Sequence, residues 1–438
     1  MHNQPILPIS CASGTVDITP SHRLPLAPGD RVTTSSDFVA SPLEANVLVL
    51  QADENELIIV SCDLLYVGNL LRAQILRGIS LEDTPEALFL AASHTHGAPM
   101  TQAETRMGSP DSTYVVHVAE RIVSLIKRLR RILKPAFVNY HEGLAHHSIN
   151  RRLKRLRLTR RGLRYGCELG PNPAGERDET IRLLRICDPD GCPNAFLWSY
   201  SCHPSASPSA DFVCADYPGI VRHLLRHWYG NIPVLFLQGF SGDVRPPFVV
   251  RPRGMRANLR HLAHGPVVGR ASAEEWKLWS ESLGQRVCDI SSTAGQVLSM
   301  PSLRTVRLST PWPGLLDGDS TPAKSLEMHL ARMGAMRIVG MSAEPVVGYQ
   351  AMVRSLFPEG PLFTAGCIDQ TWGYLPLDSM LADGGYEVNG FRQALGLGCE
   401  YCPGIEAQIQ QALVVLKQRE TQACIQPHIK RENPCATF

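Results

Sequence analysis

The sequence predicts a mixed α/β fold, in which layers of strands and helices pack around one hydrophobic core. Two observations support this fold class. Short apolar segments bounded by turn residues alternate along the chain with longer segments of helical periodicity, an arrangement typical of layered α/β proteins. No repeat with a period of 20–50 residues and no shift in composition divides the chain, which favours a single domain.

The short apolar segments predict strands. Residues 46–50 and 57–61 are interpreted as neighbouring strands joined by a polar turn. Residues 87–92 predict a third strand, which ends at a polar loop. The segments 196–200 and 234–237 are apolar and predict two buried strands.

Three longer segments predict helices. Residues 114–133 carry an apolar stripe at helical spacing that a proline stops. Residues 274–298 begin with the capping-box pattern of Ser272 and Glu275. A late helix is predicted at 405–417. The predicted loops are residues 19–41, 167–176, 248–270 and 310–323.

Composition limits the class of protein. The 438 residues are 44% hydrophobic and 19% charged, as in ordinary globular proteins. The formal net charge of +2 predicts no bulk attraction to nucleic acid or anionic membranes. The start has no signal-peptide pattern, and the apolar runs are far shorter than the roughly 18 residues of a transmembrane helix. We therefore expect a cytoplasmic protein with one catalytic domain at 1–438, its core at about 12–418 and a C-terminal tail at 419–438.

Two local patterns each allow both a functional and a purely structural interpretation. Residues 151–164 contain eight Arg or Lys residues and no acid. This density suits a polyanion or a membrane surface, but the segment lacks the aromatics that stack on single-stranded nucleic acid, and a solvated basic loop or edge strand is the alternative. Cys399 and Cys402 form a CxxC pair without a second pair at zinc-ribbon spacing, so a turn before a helix competes with a metal or redox site. The thirteen scattered cysteines fit reduced thiols.

Histidines follow two of the predicted strands. His94 and His96 come after the strand at 87–92, and in extended backbone residues two apart face the same side. His203 follows the strand at 196–200, and the proline after it disfavours helix at that position. Neutral imidazole is a common zinc ligand, but hydrogen-bonded structural histidines would leave the same pattern. Asp216 and Asp243 lie in Gly/Pro turns, where acids more often cap backbone N–H groups.

The order of these motifs along the chain resembles the neutral/alkaline non-lysosomal ceramidase family in its broader bacterial ceramidase-like form. The resemblance extends from residue 16 to about residue 405. It is specific for a fold and a metal site, and much less specific for a substrate. Its motifs are, in chain order, VDITP, SHTHGAP, SINR, GPNP, CHP, DYPG and QGxxGDVxP.

The resemblance implies a zinc-dependent amidase with an α/β catalytic domain and one Zn²⁺ per chain. In the family, two histidines, a glutamate and a tyrosine hold the zinc. The matching motifs place the histidines at His94 and His203 and the glutamate at Glu344, and the spacing of the family's tyrosine pair places the fourth ligand at Tyr374. Such a set suits a Lewis-acid zinc whose bound water loses a proton near neutral pH, so that zinc-bound hydroxide attacks the carbonyl.

The resemblance also implies roles for neighbouring residues. His96 is expected beside the metal, where it transfers a proton to the leaving group. Arg151, at the position of the family's I-N-R arginine, and Tyr386 are expected to hold the developing oxyanion or a substrate oxygen. Plainer alternatives are a core tyrosine at Tyr386 and a basic-loop residue at Arg151.

The sequence departs from the family at the position of a serine that is assigned there as the nucleophile or as a substrate contact. Arg245 occupies that position. Because a guanidinium stays protonated, it cannot attack a carbonyl, and it prefers a carboxylate or phosphate partner. Arg245 is therefore a predicted substrate-binding residue, and an anionic substrate is favoured over ceramide. Asp243, in the same motif, is the second predicted substrate-binding residue. We also expect no counterpart of the family's Ig-like C-terminal domain in this sequence.

Three functions remain open at this point. The first is a zinc hydrolase of a linear amide, such as an N-acyl amine, a ceramide-like compound or an N-acyl amino compound. The second is an esterase or lactonase on the same site, since both reactions share a tetrahedral intermediate. The third is a non-catalytic binding protein on a decayed fold, although survival of all four ligand types at matching positions speaks against it. We expect a small-molecule partner and no binding of nucleic acid. The sequence does not indicate an oligomeric state.

Overall fold

The computed structural model describes residues 7–26, 33–34, 38–103, 108–159, 162–250, 254–255, 265–316, 324–395 and 400–425. Within these ranges the chain forms 22 strands and eight α-helices, and the mixed α/β fold is confirmed. None of the described helices combines the length and the apolarity that crossing a membrane requires.

The strands are numbered in chain order. They are β1 Ile9–Asp17, β2 Pro25–Leu26, β3 Thr33–Thr34, β4 Glu44–Ala52, β5 Asn55–Cys62, β6 Leu88–Ala92, β7 Lys134–Leu144, β8 Ile149–Thr159, β9 Gly162–Asn172, β10 Thr180–Cys187, β11 Pro193–Tyr200, β12 Val234–Gln238, β13 Val244–Arg245, β14 Gln296–Leu298, β15 Leu303–Pro311, β16 Leu315–Leu316, β17 Ser325–Met333, β18 Met336–Met341, β19 Glu344–Pro345, β20 Leu362–Ala365, β21 Tyr374–Leu375 and β22 Glu400–Tyr401.

The helices are numbered in the same way. They are α1 Asn69–Gly78, α2 Ser112–Leu129, α3 Asp216–Tyr229, α4 Ala273–Ser292, α5 Tyr349–Leu356, α6 Asp378–Leu381, α7 Phe391–Leu395 and α8 Ile405–Ile425. A 3₁₀ turn covers Pro85–Ala87 and a π-helical turn covers Tyr386–Gly390.

A nine-stranded sheet forms the centre of the fold. Its strand order is β12-β11-β10-β7-β1-β4-β5-β6, with β14 also pairing to β7. Neighbouring residues of β4 point into different cores, since Val47 and Val49 pack on one face while Leu48 and Leu50 pack on the other. Burial on both faces explains why this strand is continuously apolar in sequence.

The molecule has four layers. Helices α1 and α2 pack on one face of the nine-stranded sheet, and α3 and α4 extend that helical layer over β10–β12. On the opposite face the sheet packs against a second sheet with the order β15-β17-β18-β20. Helices α5 and α8 cover the outer face of that second sheet. The two sheets thus bury a shared apolar interior, which fixes the strand ends relative to one another.

Three parallel strand pairs define one edge of this sandwich. They are β5 with β6, β11 with β12, and β18 with β20. The carboxyl ends of parallel strands are the usual position of binding sites in α/β folds. The segments that leave these ends carry the polar residues described below.

The predicted strands and most of the predicted helices are confirmed, with shifted ends. The helix predicted at 274–298 is too long, because α4 ends at Ser292 and the last residues form β14. After Thr293 caps the helix, Gly295 passes close to the His141 ring, where a Cβ would lie 2.5 Å from that ring, so only glycine fits between α4 and β14. The Ser272–Glu275 capping box is present.

One predicted loop is wrong. Most of the segment 167–176 belongs to β9, which pairs with β8 as a long hairpin. The described residues of the basic stretch, 151–159 and 162–164, therefore lie in strands β8 and β9, and β9 is at the edge of a three-stranded sheet. Cys399 and parts of the loops predicted at 19–41, 248–270 and 310–323 lie outside the described residues.

Candidate metal centre

The polar residues at the carboxyl edge of the sandwich converge from distant parts of the chain. His94 follows β6, His203 follows β11, Glu344 follows β18, and Tyr374 lies in β21. All four side chains are buried. The structure brings together the four residues that the resemblance assigns as metal ligands, and their roles stay predictions.

The backbone at His94 differs from the one expected. The residue is not extended but has φ of +64°, a left-handed conformation that is uncommon and strained outside glycine. The reasoning that residues two apart share one side of a strand is therefore wrong for His94 and His96, although both rings reach the same pocket. Such strain is retained where the surrounding structure fixes it, often at functional sites.

The two imidazoles face each other through their Nε2 atoms, which are 2.9 Å apart. The Nδ1 atom of His94 lies 3.0 Å from the carbonyl oxygen of Leu65, and Nδ1 of His203 lies 3.0 Å from that of Ser241. Because a carbonyl oxygen can only accept, each Nδ1 carries a proton and donates it. In the neutral rings both Nε2 lone pairs therefore point at each other.

Glu344 completes this convergence. Its Oε2 atom lies 3.2 Å from the Nε2 atom of both His94 and His203. This oxygen is buried and accepts no hydrogen bond from the described residues, whereas Oε1 accepts one of 2.6 Å from the Tyr66 hydroxyl. When both rings are neutral, two ring lone pairs and a carboxylate oxygen meet at one point, which is unfavourable unless a positive charge, either a proton on His94 or a bound cation, compensates them.

Tyr374 is held beside Glu344 by a short parallel ladder. Strands β19 and β21 pair so that Glu344 lies directly opposite Tyr374. The Tyr374 hydroxyl lies 3.5 Å from Nε2 of His203, and the two rings are stacked with centroids 6.3 Å apart. Burial and the neighbouring Glu344 raise the pKa of Tyr374 well above its usual range, so the phenol is neutral.

Burial shapes the charges of the site. It lowers the pKa of His203 to about 4, and the neighbouring His94 adds to this shift. Burial also opposes a charge on His94, but Cys367 and Glu344 overcome it and raise the pKa of that ring well above its usual range. Against the effect of burial, the two histidines hold the pKa of Glu344 well below its usual range, so the carboxylate is ionised.

His96 forms a three-histidine cluster with His94 and His203. The possible ligand atoms of these rings lie within 4.8 Å of one another, so this cluster could itself hold a metal ion. His96 is half-buried, and its Nε2 atom is buried with no hydrogen-bond partner among the described residues. Burial and the two neighbouring rings lower the pKa of His96 well below its usual range. Its position allows either the expected proton transfer or direct ligation.

Arg151 lies under the tyrosine pair. Its guanidinium is 5.4 Å from the ring centroid of Tyr374 and 5.5 Å from that of Tyr386. Its Nε donates to Glu387 at 2.8 Å and its Nη2 donates to the Gly242 carbonyl at 2.7 Å. Arg151 is therefore buried and paired, unlike a solvated basic-loop residue. Tyr386 begins the π-helical turn, a feature that is frequent at functional sites.

The two predicted substrate-binding residues differ in their surroundings. Arg245 is buried and lines the cavity, where its Nη2 donates to the Gly269 carbonyl at 2.6 Å. Asp243 does not line the cavity. Its Oδ1 accepts from the Val347 N–H at 2.8 Å and its Oδ2 accepts from Asn150 Nδ2 at 2.9 Å. These bonds favour a positioning role for Asp243 over contact with a substrate, as the turn motif alone also indicated.

A cavity of about 250 Å³ opens onto the cluster. This volume lies slightly below the roughly 300–1,000 Å³ typical of ligand pockets. Its lining combines the polar residues of the histidine cluster with apolar residues such as Leu65, Leu169 and Phe391. The lining residues are Leu65, Tyr66, His94, His96, Arg151, Leu169, Ser205, Arg245, Gly269, Arg270, Glu344, Gly373, Tyr374, Tyr386, Phe391 and Ala394.

Three residues of this site escaped the sequence reasoning. Tyr66 supports Glu344 through its hydroxyl, Arg270 lines the cavity, and Glu387 pairs with Arg151. Tyr66 follows β5 just as His94 follows the parallel neighbour β6, so its position at a strand end is a signal that could have indicated it. No comparable local pattern marks Arg270.

Comparison with known proteins supports the fold. We found no matching protein-family model and no matching curated protein. Among solved structures, the neutral ceramidase from Pseudomonas aeruginosa superimposes with a TM-score of 0.70 at 17% identity, covering 95% of this chain and 75% of that one. A ceramidase complexed with C2 gives 0.69 at 15% identity, covering 94% and 76%. The predicted resemblance to neutral ceramidases is thus confirmed for the fold.

Proposed function

We propose that this protein is a zinc-dependent hydrolase that cleaves a linear amide. One observation carries the proposal: the Nε2 atoms of His94 and His203 and the Oε2 atom of Glu344 converge within 3.2 Å at the floor of a cavity. The shared fold with two ceramidase structures adds support, because a ceramidase acts on an amide.

The residues present suit a divalent cation. Two imidazole nitrogens and a carboxylate oxygen are the donor set of many catalytic zinc sites. Both histidines donate Nδ1–H to backbone carbonyls, the arrangement that fixes the tautomer and orientation of metal-ligating imidazoles. The buried Oε2 of Glu344, which has no hydrogen-bond donor among the described residues, gains a partner if a cation binds.

His94, His203 and Glu344 would hold the ion, and the Tyr374 hydroxyl would supply a weaker fourth oxygen. A zinc ion bound there supplies a Lewis acid and a water of lowered pKa. The neutral Tyr374 phenol suits such an adjustable position better than a charged ligand would. His96 is the alternative fourth ligand, since its ring belongs to the same cluster.

His96 is proposed to move the proton that amide cleavage requires. An amine leaves only after its nitrogen gains a proton, and a positioned general acid contributes roughly 10²–10⁴ in rate. The ring lines the cavity beside His94 and His203, with centroids 5.2 and 5.7 Å away. Its Nε2 makes no hydrogen bond to the described residues and is therefore available to hold a proton.

Arg151 and Tyr386 are proposed to bind and orient the scissile carbonyl side of the substrate. Both line the cavity next to Tyr374. Since Glu387 and the Gly242 carbonyl fix the Arg151 guanidinium, its remaining donors are pre-positioned for a developing oxyanion. The apolar wall of Leu65, Leu169 and Phe391 suits an acyl chain.

A chelation and substrate experiment tests this function. Purified protein is assayed on a panel of N-acyl amides and matched esters, then treated with a chelator and reloaded with zinc. The expected result is amide cleavage that disappears on chelation and returns with zinc. Turnover that is unaffected by complete metal removal, or cleavage of esters without any amide, would contradict the proposal.

A further inference from the structure

Arg245 is a buried cation without an anionic partner in the described part of the chain. It is 8% exposed, and its one hydrogen bond there goes to the Gly269 carbonyl. A guanidinium has five N–H donors, and Nε is among those that find no acceptor within the described ranges. Yet the residue lines the cavity beside His94 and His96.

Most of the other buried arginines are paired with an acid. Of the seven others within the described ranges, six lie within 4.0 Å of a carboxylate. Arg392, which is not among the six, donates to the Val388 carbonyl and to Asn389 Oδ1 and lies over the Tyr401 ring. Arg245 thus stands apart in both its charge balance and its hydrogen bonding.

The neighbouring acid Asp216 does not neutralise this charge. Asp216 attracts Arg245 electrostatically but makes no ion pair with it within 4.0 Å. Both Asp216 oxygens already accept N–H bonds from Tyr217, Trp276 and the 206–207 backbone. Burial and the neighbouring Arg151 even lower the pKa of Arg245 to about 10, which leaves it charged at neutral pH. An unpaired buried charge is costly unless something else compensates it.

We propose that Arg245 binds a carboxylate on the substrate, so that the amide cleaved at the neighbouring centre belongs to the class of N-acyl amino acids. This inference rests on the proposed function. Arg270 lies on the same wall of the cavity and adds positive charge, while its Nη1 is held by Ser207 and Ser209. A single carboxylate matches the planar fork of one guanidinium, and such pairs are directional as well as strong.

Matched substrates test the assignment directly. N-decanoylglycine and N-decanoylglycinamide share the acyl chain and the scissile bond, and they differ in the negative charge. We expect the zinc-loaded wild type to prefer the glycine conjugate. Arg245→Ser should lower kcat/KM for N-decanoylglycine about 10- to 100-fold and change kcat/KM for the glycinamide much less. For N-decanoylglycine, the kcat/KM of Arg245→Lys should lie between those of the wild type and Arg245→Ser, because lysine keeps the charge but lacks the planar guanidinium.

Lys154→Ser is the matched control. Lys154 lies on the neighbouring strand β8, is half-exposed and does not line the cavity. Its loss removes the same charge from the chain, so an equal change of selectivity in this variant would show a general field effect and overturn the assignment. Melting curves of all variants identify any that do not fold, and Arg245→Lys then carries the comparison.

Binding measured by calorimetry separates this inference from the proposed function. If neither amide is cleaved, the hydrolase proposal fails, but tighter binding of N-decanoylglycine than of the glycinamide, lost in Arg245→Ser, still supports the anion site. If both amides are cleaved and bound alike by wild type and variant, the anion site is refuted while the hydrolase stands. Preference for N-decanoylphosphoethanolamine over N-decanoylglycine would refute the carboxylate.

Discussion

Removing the Tyr66 hydroxyl should weaken metal binding without removing a ligand. The hydroxyl donates to Glu344 Oε1 at 2.6 Å, while the other carboxylate oxygen faces the two histidines. A hydrogen bond to a charged group is worth about 1.5–3 kcal/mol, which converts to roughly 10- to 150-fold in affinity. Loss of a residue that orients a metal ligand typically costs about 10- to 100-fold. We therefore expect Tyr66→Phe to raise the zinc Kd by one to two orders of magnitude.

Competition with a chromophoric chelator measures this Kd. Tyr140→Phe is the matched control, because its buried hydroxyl also donates to a carboxylate at 2.6 Å, that of Glu142, and neither residue lines the cavity. The control should lose some stability but bind zinc as the wild type does. An unchanged zinc Kd in Tyr66→Phe, or an equal change in Tyr140→Phe, would refute the reasoning that Glu344 is a metal ligand held by this bond.

Two further substitutions test a catalytic role for His96 and a structural role for Glu387. His96→Ala should keep its zinc and lower kcat roughly 10²–10⁴-fold. Metal analysis and steady-state kinetics measure these two effects. If His96→Ala lost its zinc as completely as His94→Ala does, His96 would be a ligand instead. Glu387→Gln leaves the buried guanidinium groups of Arg151 and Arg152 without their shared carboxylate. This substitution should lower the free energy of unfolding by about 3–5 kcal/mol, measured by denaturant unfolding. A loss below about 1 kcal/mol would show that the ion pairs of Glu387 do not stabilise the fold.

The fold class could be predicted from the sequence because its core strands carry strong local signals. The continuous apolar character of residues 46–50 and 57–61 reflects burial on both faces of a sheet, and the structure confirms both strands. Where local signals are weak the prediction fails. The segment 167–176 contains Gly, Pro and Asn, yet pairing with β8 holds most of it in a strand.

The site was predictable only where a motif carried it. His94 and His203 stand out as histidines after apolar strands, but Glu344 and Tyr374 were reached through the family resemblance alone. Their contact depends on the two-residue ladder of β19 and β21, which no spacing in the sequence encodes. Tyr66 is separated from Glu344 by 278 residues, so only the packed sheets bring its hydroxyl into place.

For Arg245, too, the sequence indicated the residue but not its tertiary partners. The sequence indicated that an arginine occupies the position of a family serine, but not whether an acid elsewhere in the chain would neutralise it. Only the packed structure shows six other buried arginines paired with carboxylates and Arg245 without one in the described residues. The predicted anionic substrate therefore gained its support from burial and pairing, which are tertiary properties.

Counting metal ions per chain tests the central claim most directly. The wild type, His94→Ala and Glu344→Ala are each equilibrated with zinc, dialysed, and analysed by inductively coupled plasma mass spectrometry. We expect about one zinc per wild-type chain, because the donor atoms of His94, His203 and Glu344 converge at a single point. We expect almost none in either variant that remains folded. A folded wild type that retains no divalent metal, or variants that retain as much as the wild type, would contradict a metal centre built on these side chains.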